Sequence, residues 1–182
     1  ETADKARLEN REEKTYEQLS FSHTDTKAYE DSYIPKGDDY FTEDSVLEDT
    51  DFFADVTVLS ARLDSDSAHY TLRINSLVSK TGEESKTNIT IESSTPYIMQ
   101  ENREYFIPLR KENGTYSMAF ENAPQIEISL DGDIVFQNGW KSLDDDSGIL
   151  KDSQKSKNDY FYDRMRYSSK NDLQDLLAKW RT

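Results

Sequence analysis

Cysteine is absent from the 182 residues, which removes disulfides, thiolate nucleophiles and every cysteine-based zinc or iron–sulfur site. Histidine occurs only twice, as His23 and His69, so acid–base chemistry near neutral pH has little to draw on. No apolar run approaches the roughly 18 residues that a membrane-spanning helix needs. Cationic residues are in deficit, 22 Lys and Arg against 37 Asp and Glu, for a net charge of −15. A field of that sign repels phosphate backbones and anionic lipid heads, and it attracts a basic partner. Nucleic acid and direct membrane-surface binding are therefore set aside.

What is present is acid at one end and aromatics in the middle. Residues 1–51 hold 6 Lys and Arg against 16 Asp and Glu, residues 52–140 hold 7 against 13, and residues 141–182 hold 9 against 8. Hydrophobic residues make up 34% of the chain and charged residues 32%, so part of the length is expected to lie outside any packed core. The 11 Tyr, 8 Phe and 2 Trp argue against wholesale disorder, because Phe53, Tyr70, Tyr105, Tyr116, Phe120 and Phe136 sit in alternating segments where a sheet needs large side chains. The chain divides into an acidic helix and linker over 1–41, a β domain over 42–140 and a helical extension over 141–182 that packs on it.

The alternating segments set the fold class. Residues 2–19 form a ragged helical stripe, and 21–39, with Pro35 and Gly37, read as a linker. Thr42, Glu43 and Asp44 precede Val46-Leu47 and predict a short capped helix. Period two then takes over in Phe53 to Leu59, in Tyr70, Leu72 and Ile74, in Ile89 and Ile91, and in Tyr105, Ile107 and Leu109. It continues in Tyr116, Met118 and Phe120, in Ile126, Ile128 and Leu130, and in Ile134 and Phe136. Pro108 cannot donate to a ladder, which predicts an edge strand or a bulge. Asn113-Gly114 and Asp131-Gly132 are hairpin turns. The sum is a mainly β fold, a small antiparallel barrel of roughly five to seven strands with N- and C-terminal helices. A helix is expected over 158–167, and a final one carries Leu173, Leu176, Leu177 and Trp180 at helical spacing, with Asn171 placed as its cap.

The order Ser45-Val46-Leu47-Glu48-Asp49-Thr50-Asp51-Phe52-Phe53-Ala54-Asp55-Val56-Thr57-Val58, then Val78-Ser79-Lys80-Thr81-Gly82, then Asn102-Arg103-Glu104-Tyr105-Phe106-Ile107-Pro108-Leu109 carries a resemblance. It resembles secreted or lipid-anchored proteins of Gram-positive bacteria whose domain is a small OB-like barrel, similar to netrin modules and tissue inhibitors of metalloproteinases. The likeness spans about residues 43–140. It implies an extracellular, cell-envelope lipoprotein. Animal members use cysteines, including an N-terminal one that meets a protease metal. This chain has none, so no functional residue carries over.

Candidate chemistry is sparse. His69 enters its strand on the polar phase and reads as a surface histidine. Ser22-His23-Thr24-Asp25 brings triad residue types together, yet triads are assembled by fold geometry and not by adjacency. Asp64-Ser65-Asp66-Ser67 and Asp144-Asp145-Asp146-Ser147-Gly148 lack the glycine and distal glutamate of a calcium loop and read as solvated turns. Asn88-Ile89-Thr90 and Asn113-Gly114-Thr115 match the glycosylation pattern by chance in a bacterial chain. No cofactor or metal is expected. The candidate interaction surface is the apolar face Leu173, Leu176, Leu177 and Trp180, with Trp140, Tyr160 and Tyr162. Asp4-Lys5-Ala6-Arg7-Leu8-Glu9 suits a stalk just outside a membrane, so an anchor upstream of Glu1 is expected. The functional expectation is an extracytoplasmic module, without catalytic activity, that binds a protein or envelope ligand. The alternatives are a regulatory or inhibitory partner of an envelope enzyme or sensor, and a hydrolase with an acidic cleft.

Overall fold

The computed structural model describes residues 43–63, 67–93, 99–120, 125–128, 130, 132, 134–136 and 170–182. The helices expected over 2–19 and 158–167 and the linker over 21–39 lie outside them. A short helix, α1 (Glu43–Asp49), leads into the sheet. Seven strands follow: β1 (Phe52–Leu63), β2 (Ala68–Ser79), β3 (Asn88–Ser93), β4 (Glu104–Glu112), β5 (Thr115–Met118), β6 (Ile126–Ile128) and β7 (Ile134–Phe136). A 3₁₀ turn (Lys170–Asp172) then opens the C-terminal helix α2 (Leu173–Arg181). The fold is the mainly β barrel that the alternation predicts.

All ladders are antiparallel. They run β3-β2-β1-β4, after which β4 is shared between β5 and β6, and β7 pairs with β6. Successive antiparallel steps from β3 through β2, β1 and β4 to β5 leave β3 and β5 running the same way. They lie beside each other, and among the described residues no ladder joins them. The barrel is nearly closed, and this is its seam.

Two interruptions in the β1–β2 hairpin decide which side chains face in. The pairing steps from Asp55↔Ser76 to Val56↔Ile74, leaving Asn75 extra, and from Val58↔Leu72 to Ser60↔Thr71, leaving Leu59 extra. An extra residue inverts the in–out phase of the strand beyond it. Ala54, Val56 and Val58 accordingly point inward before Leu59, and Ala61 points inward after it, all four inaccessible to solvent. Tyr70, Leu72, Leu77, Ile91, Tyr105, Ile107 and Leu109 complete the barrel interior.

A second apolar layer sits outside the barrel. Phe53 stacks on Phe106 with ring centroids 5.0 Å apart, and Trp180 meets Phe53 edge-on at 4.9 Å. Val46 of α1, Leu173 and Leu176 of α2, and Ile126 and Ile128 of β6 fill in around them. The Trp180 indole N–H donates to the Thr50 carbonyl at 3.2 Å. α1 and α2 together therefore roof the outer face of the β1–β4 half.

Three sequence expectations change. β4 is an interior strand, and Pro108 pairs with Phe53 in unbroken register. On the other side of β4, Ala119 N–H donates to the Pro108 carbonyl at the end of β5, while β6 begins opposite Phe106. The missing proline N–H thus falls where β5 gives way to β6, a gap in pairing that costs little. Leu130 is not in β6; it lies in the following turn and is 58% exposed. The N-cap of α2 is Asp172 in helical conformation with no side-chain cap bond, and Asn171 is inside the 3₁₀ turn. The Asn113-Gly114 turn is as expected, with φ of 52° and 80° between the paired Glu112 and Thr115.

Candidate functional site

The helix face named as an interaction surface is occupied from within the chain. Leu173, Leu176 and Trp180 are buried in the outer layer and Leu177 packs partly against it. Their apolar spacing answers to the chain's own sheet, so these side chains belong to the fold and are not offered to a partner. Trp140, Tyr160 and Tyr162 lie outside the described residues, as do His23 and the Asp144–Gly148 run.

Two clusters of ionisable groups are committed to structure. At the edge of the roof, Lys170 Nζ sits 2.9 Å from Asp55 and 2.8 Å from Glu104. The extra residue Asn75 turns its amide onto the other Asp55 oxygen and onto Thr57 Oγ1, each at 3.1 Å. Burial, and then neighbouring Asp55, raise the Glu104 pKa although Lys170 opposes them. Burial pulls the Lys170 pKa down, but its bonds to Glu104 and Asp55 outweigh this and push it up to about 12. One ammonium therefore stoppers a pair of carboxylates, and the group ties the C-terminal segment to the sheet. The second cluster is the buried pair Arg103–Glu127 at 3.0 Å, beside Tyr105. Burial first, then Glu127, raise the Tyr105 hydroxyl well above its usual pKa, and that hydroxyl accepts from the Gln100 N–H at 2.9 Å. Tyr70, raised by burial, accepts from the Met99 N–H at 3.1 Å. These neutral tyrosines anchor the segment 99–103 across the barrel end.

The part of the barrel left without a roof is the outer face of β1, β2 and β3. Beyond Leu59 the inverted phase turns Ser60 and Arg62 outward, and pairing extends them into two rows across three strands. One row is Ser60, Thr71 and Thr90; the other is Arg62, His69 and Glu92. Thr115 and Ser117 of β5 adjoin them across the seam, and together these groups border a cleft of about 550 Å³. Its walls carry the hydroxyls of two serines and three threonines, one guanidinium, one imidazole and one carboxylate, together with Tyr70, Ile91 and Tyr116. At one end Tyr116 donates to Glu84 at 2.8 Å, and the Lys111 ammonium lies 5.1 Å from the Tyr116 ring.

One group on this face concerns chemistry. Ser67 Oγ lies 2.9 Å from His69 Nε2, and His69 Nδ1 lies 3.9 Å from Glu92 Oε2. Ser67 is buried, while the His69 side chain is 31% and the Glu92 side chain 65% exposed. The spacing Ser67-Ala68-His69 at the start of β2 was the available signal for the first contact. The second needs the β2–β3 register, which no local pattern supplies.

Among the described residues no three His, Asp or Glu side chains are placed to hold a metal ion, and no helix is long and apolar enough to cross a membrane. No protein-family model matches the chain, and no curated protein matches it as a relative.

Proposed function

We propose that the chain is an extracytoplasmic binding module of the cell envelope that takes a protein segment or an envelope polymer on the outer face of β1, β2 and β3. The carrying observation is the cleft of about 550 Å³ on the one described face that α1 and α2 leave open. OB-like barrels recognise ligands with the strand 2–3 face and the loops after strands 1 and 4, and here His69, Thr71, Thr90 and Glu92 form that face beside Thr115. Hydroxyls set beside Tyr70, Ile91 and Tyr116, with one guanidinium and one carboxylate, suit a ligand of little net charge and mixed polarity, and not a polyanion. The acidic residues 1–51 suit a tether at the cell surface and draw in a partner of opposite sign.

Titrating the isotopically labelled protein with unstructured peptides and with solubilised envelope polymer fragments tests this. Amide shifts should concentrate at Thr71, Thr90, Thr115 and Ser117, and the exposed substitution Thr90→Arg should weaken binding at least about tenfold while moving stability within ~0.5 kcal/mol. Shifts confined to other surfaces, or an unchanged affinity in Thr90→Arg, would overturn the assignment.

A further inference from the structure

The open face carries more than a recognition surface. Ser67 Oγ lies 2.9 Å from His69 Nε2, while the other ring nitrogen of His69 faces Glu92 at 3.9 Å. Each ring nitrogen thus addresses the group that a serine–histidine–acid system requires of it. The 3.9 Å contact is an ion-pair distance and not a hydrogen bond, and such contacts are commonly loose before a substrate binds. Arg62, paired with His69 on the side opposite Glu92, brings the guanidinium of the cleft to the same row.

We propose that Ser67 is a nucleophile activated by His69, and that this face transfers the acyl group of a carboxylic ester of a polar alcohol to water. The proposal rests on the binding face for its substrate cleft: His69 and Glu92 line that cleft, and Ser67, itself buried, adjoins it through the 2.9 Å contact with His69. Ser67 Oγ attacks the acyl carbon as its proton passes to His69 Nε2. Arg62, on the same row as His69, is the cation assigned to counter the charge that develops on the acyl oxygen. The ester C–O bond breaks, and the departing alkoxide takes the proton from the imidazolium. A water then gives a proton to His69 and attacks the acyl-serine; Ser67 recovers its proton, and the carboxylic acid leaves. No oxidant or further reactant is required. Glu92 is a positioning residue: it holds the tautomer with Nδ1–H and stabilises the imidazolium. The Ser60, Thr71, Thr90, Thr115 and Ser117 hydroxyls give the selectivity, because they can hydrogen-bond a hydroxylated leaving group whose carbon skeleton meets Ile91 and the tyrosines.

The test uses the full chain and a fluorophosphonate, which forms a stable adduct with an activated serine whatever the natural ester. Peptide mapping should place the adduct on Ser67 and find none in Ser67→Ala. His69→Gln should slow labelling by about 10²-fold or more, the range for loss of a general base. Glu92→Gln should slow it by a smaller factor, and Glu92→Asp should restore part of the rate with the melting temperature unchanged. Should Ser67→Ala unfold the protein, Ser67→Cys gives the same answer: its alkylation by iodoacetamide should be fast and should fall when His69→Gln is added. No adduct on Ser67 under conditions that saturate a known serine hydrolase would overturn the proposal. So would labelling that is indifferent to His69. Either result leaves the ligand titration above to stand or fall by itself.

Discussion

Replacing Trp180 with alanine is the sharpest test of the idea that the C-terminal helix is part of the fold and not a partner-binding face. The side chain is 3% exposed, stands edge-on to Phe53 at 4.9 Å, and donates its indole N–H to the Thr50 carbonyl at 3.2 Å. Truncation of a buried tryptophan costs ~3–5 kcal/mol, and the Thr50 carbonyl loses its indole donor as well, so about 4 kcal/mol is expected. Against the ~5–15 kcal/mol of a typical domain, that is a large share. Trp180→Phe keeps ring contact with Phe53 and loses only the donor and part of the area, for roughly 1–2 kcal/mol. Urea unfolding followed by circular dichroism reads both, and with an m-value of ~2 kcal/mol/M the alanine variant should shift its midpoint by ~2 M. A fall in m-value as well would mean that α2 has left the sheet in the variant. A cost below ~1 kcal/mol for Trp180→Ala would refute the reasoning and return this face to the list of partner surfaces.

The two ion clusters give predictions of opposite character. Arg103→Met should destabilise by ~3–5 kcal/mol because it strands the Glu127 carboxylate beneath the surface, while Arg103→Met with Glu127→Leu should recover most of that loss. A double variant no better than the single one, by urea midpoint, would count against the pair as the cause. Glu104, raised above its unfolded pKa by burial and Asp55, favours folding below the usual carboxylate range near ~4.3, and this contribution is lost as pH rises through the folded value. Glu104→Gln has no such titration, so the variant should gain on the wild type between pH 4 and pH 7. Unfolding midpoints at four pH values measure the gap, and a gap that moves the other way would refute the assignment.

How much of this was legible in the sequence differs by element. The strands were, because period two survives in Tyr70, Leu72 and Ile74, and Asn113-Gly114 takes positive φ at both positions. The burial of α2 was half legible: helical spacing predicts an apolar face, but whether a sheet or another protein covers it depends on tertiary packing that spacing does not encode. Pro108 misled because an absent N–H is tolerated wherever a strand lacks a partner, and an edge is only one such place. Leu130 misled because alternation continues past the last ladder pair, Ile128↔Ile134, into a turn. The candidate site was the least legible. Ser67, just before β2, and His69 are two residues apart, but Glu92 and Arg62 reach them only through the registers of two ladders.

The β1 side of that arrangement depends on one residue. Had β1 run without Leu59 as an extra residue, the phase that buries Ala54, Val56 and Val58 would have carried Ser60 and Arg62 into the barrel and Ala61 out. The polar pair would then meet Tyr70 and Leu72 in the interior, at a cost that no hydrogen bond there could offset. The bulge therefore serves two needs at once. It lets one long strand present Phe53, Asp55 and Thr57 to the helical roof at one end and a hydroxyl-lined open face at the other. A strand of strict alternation would supply only one kind of outer surface, determined by whatever covered it. The cleft thus follows from the same irregularity that allows the roof to stop halfway across the barrel.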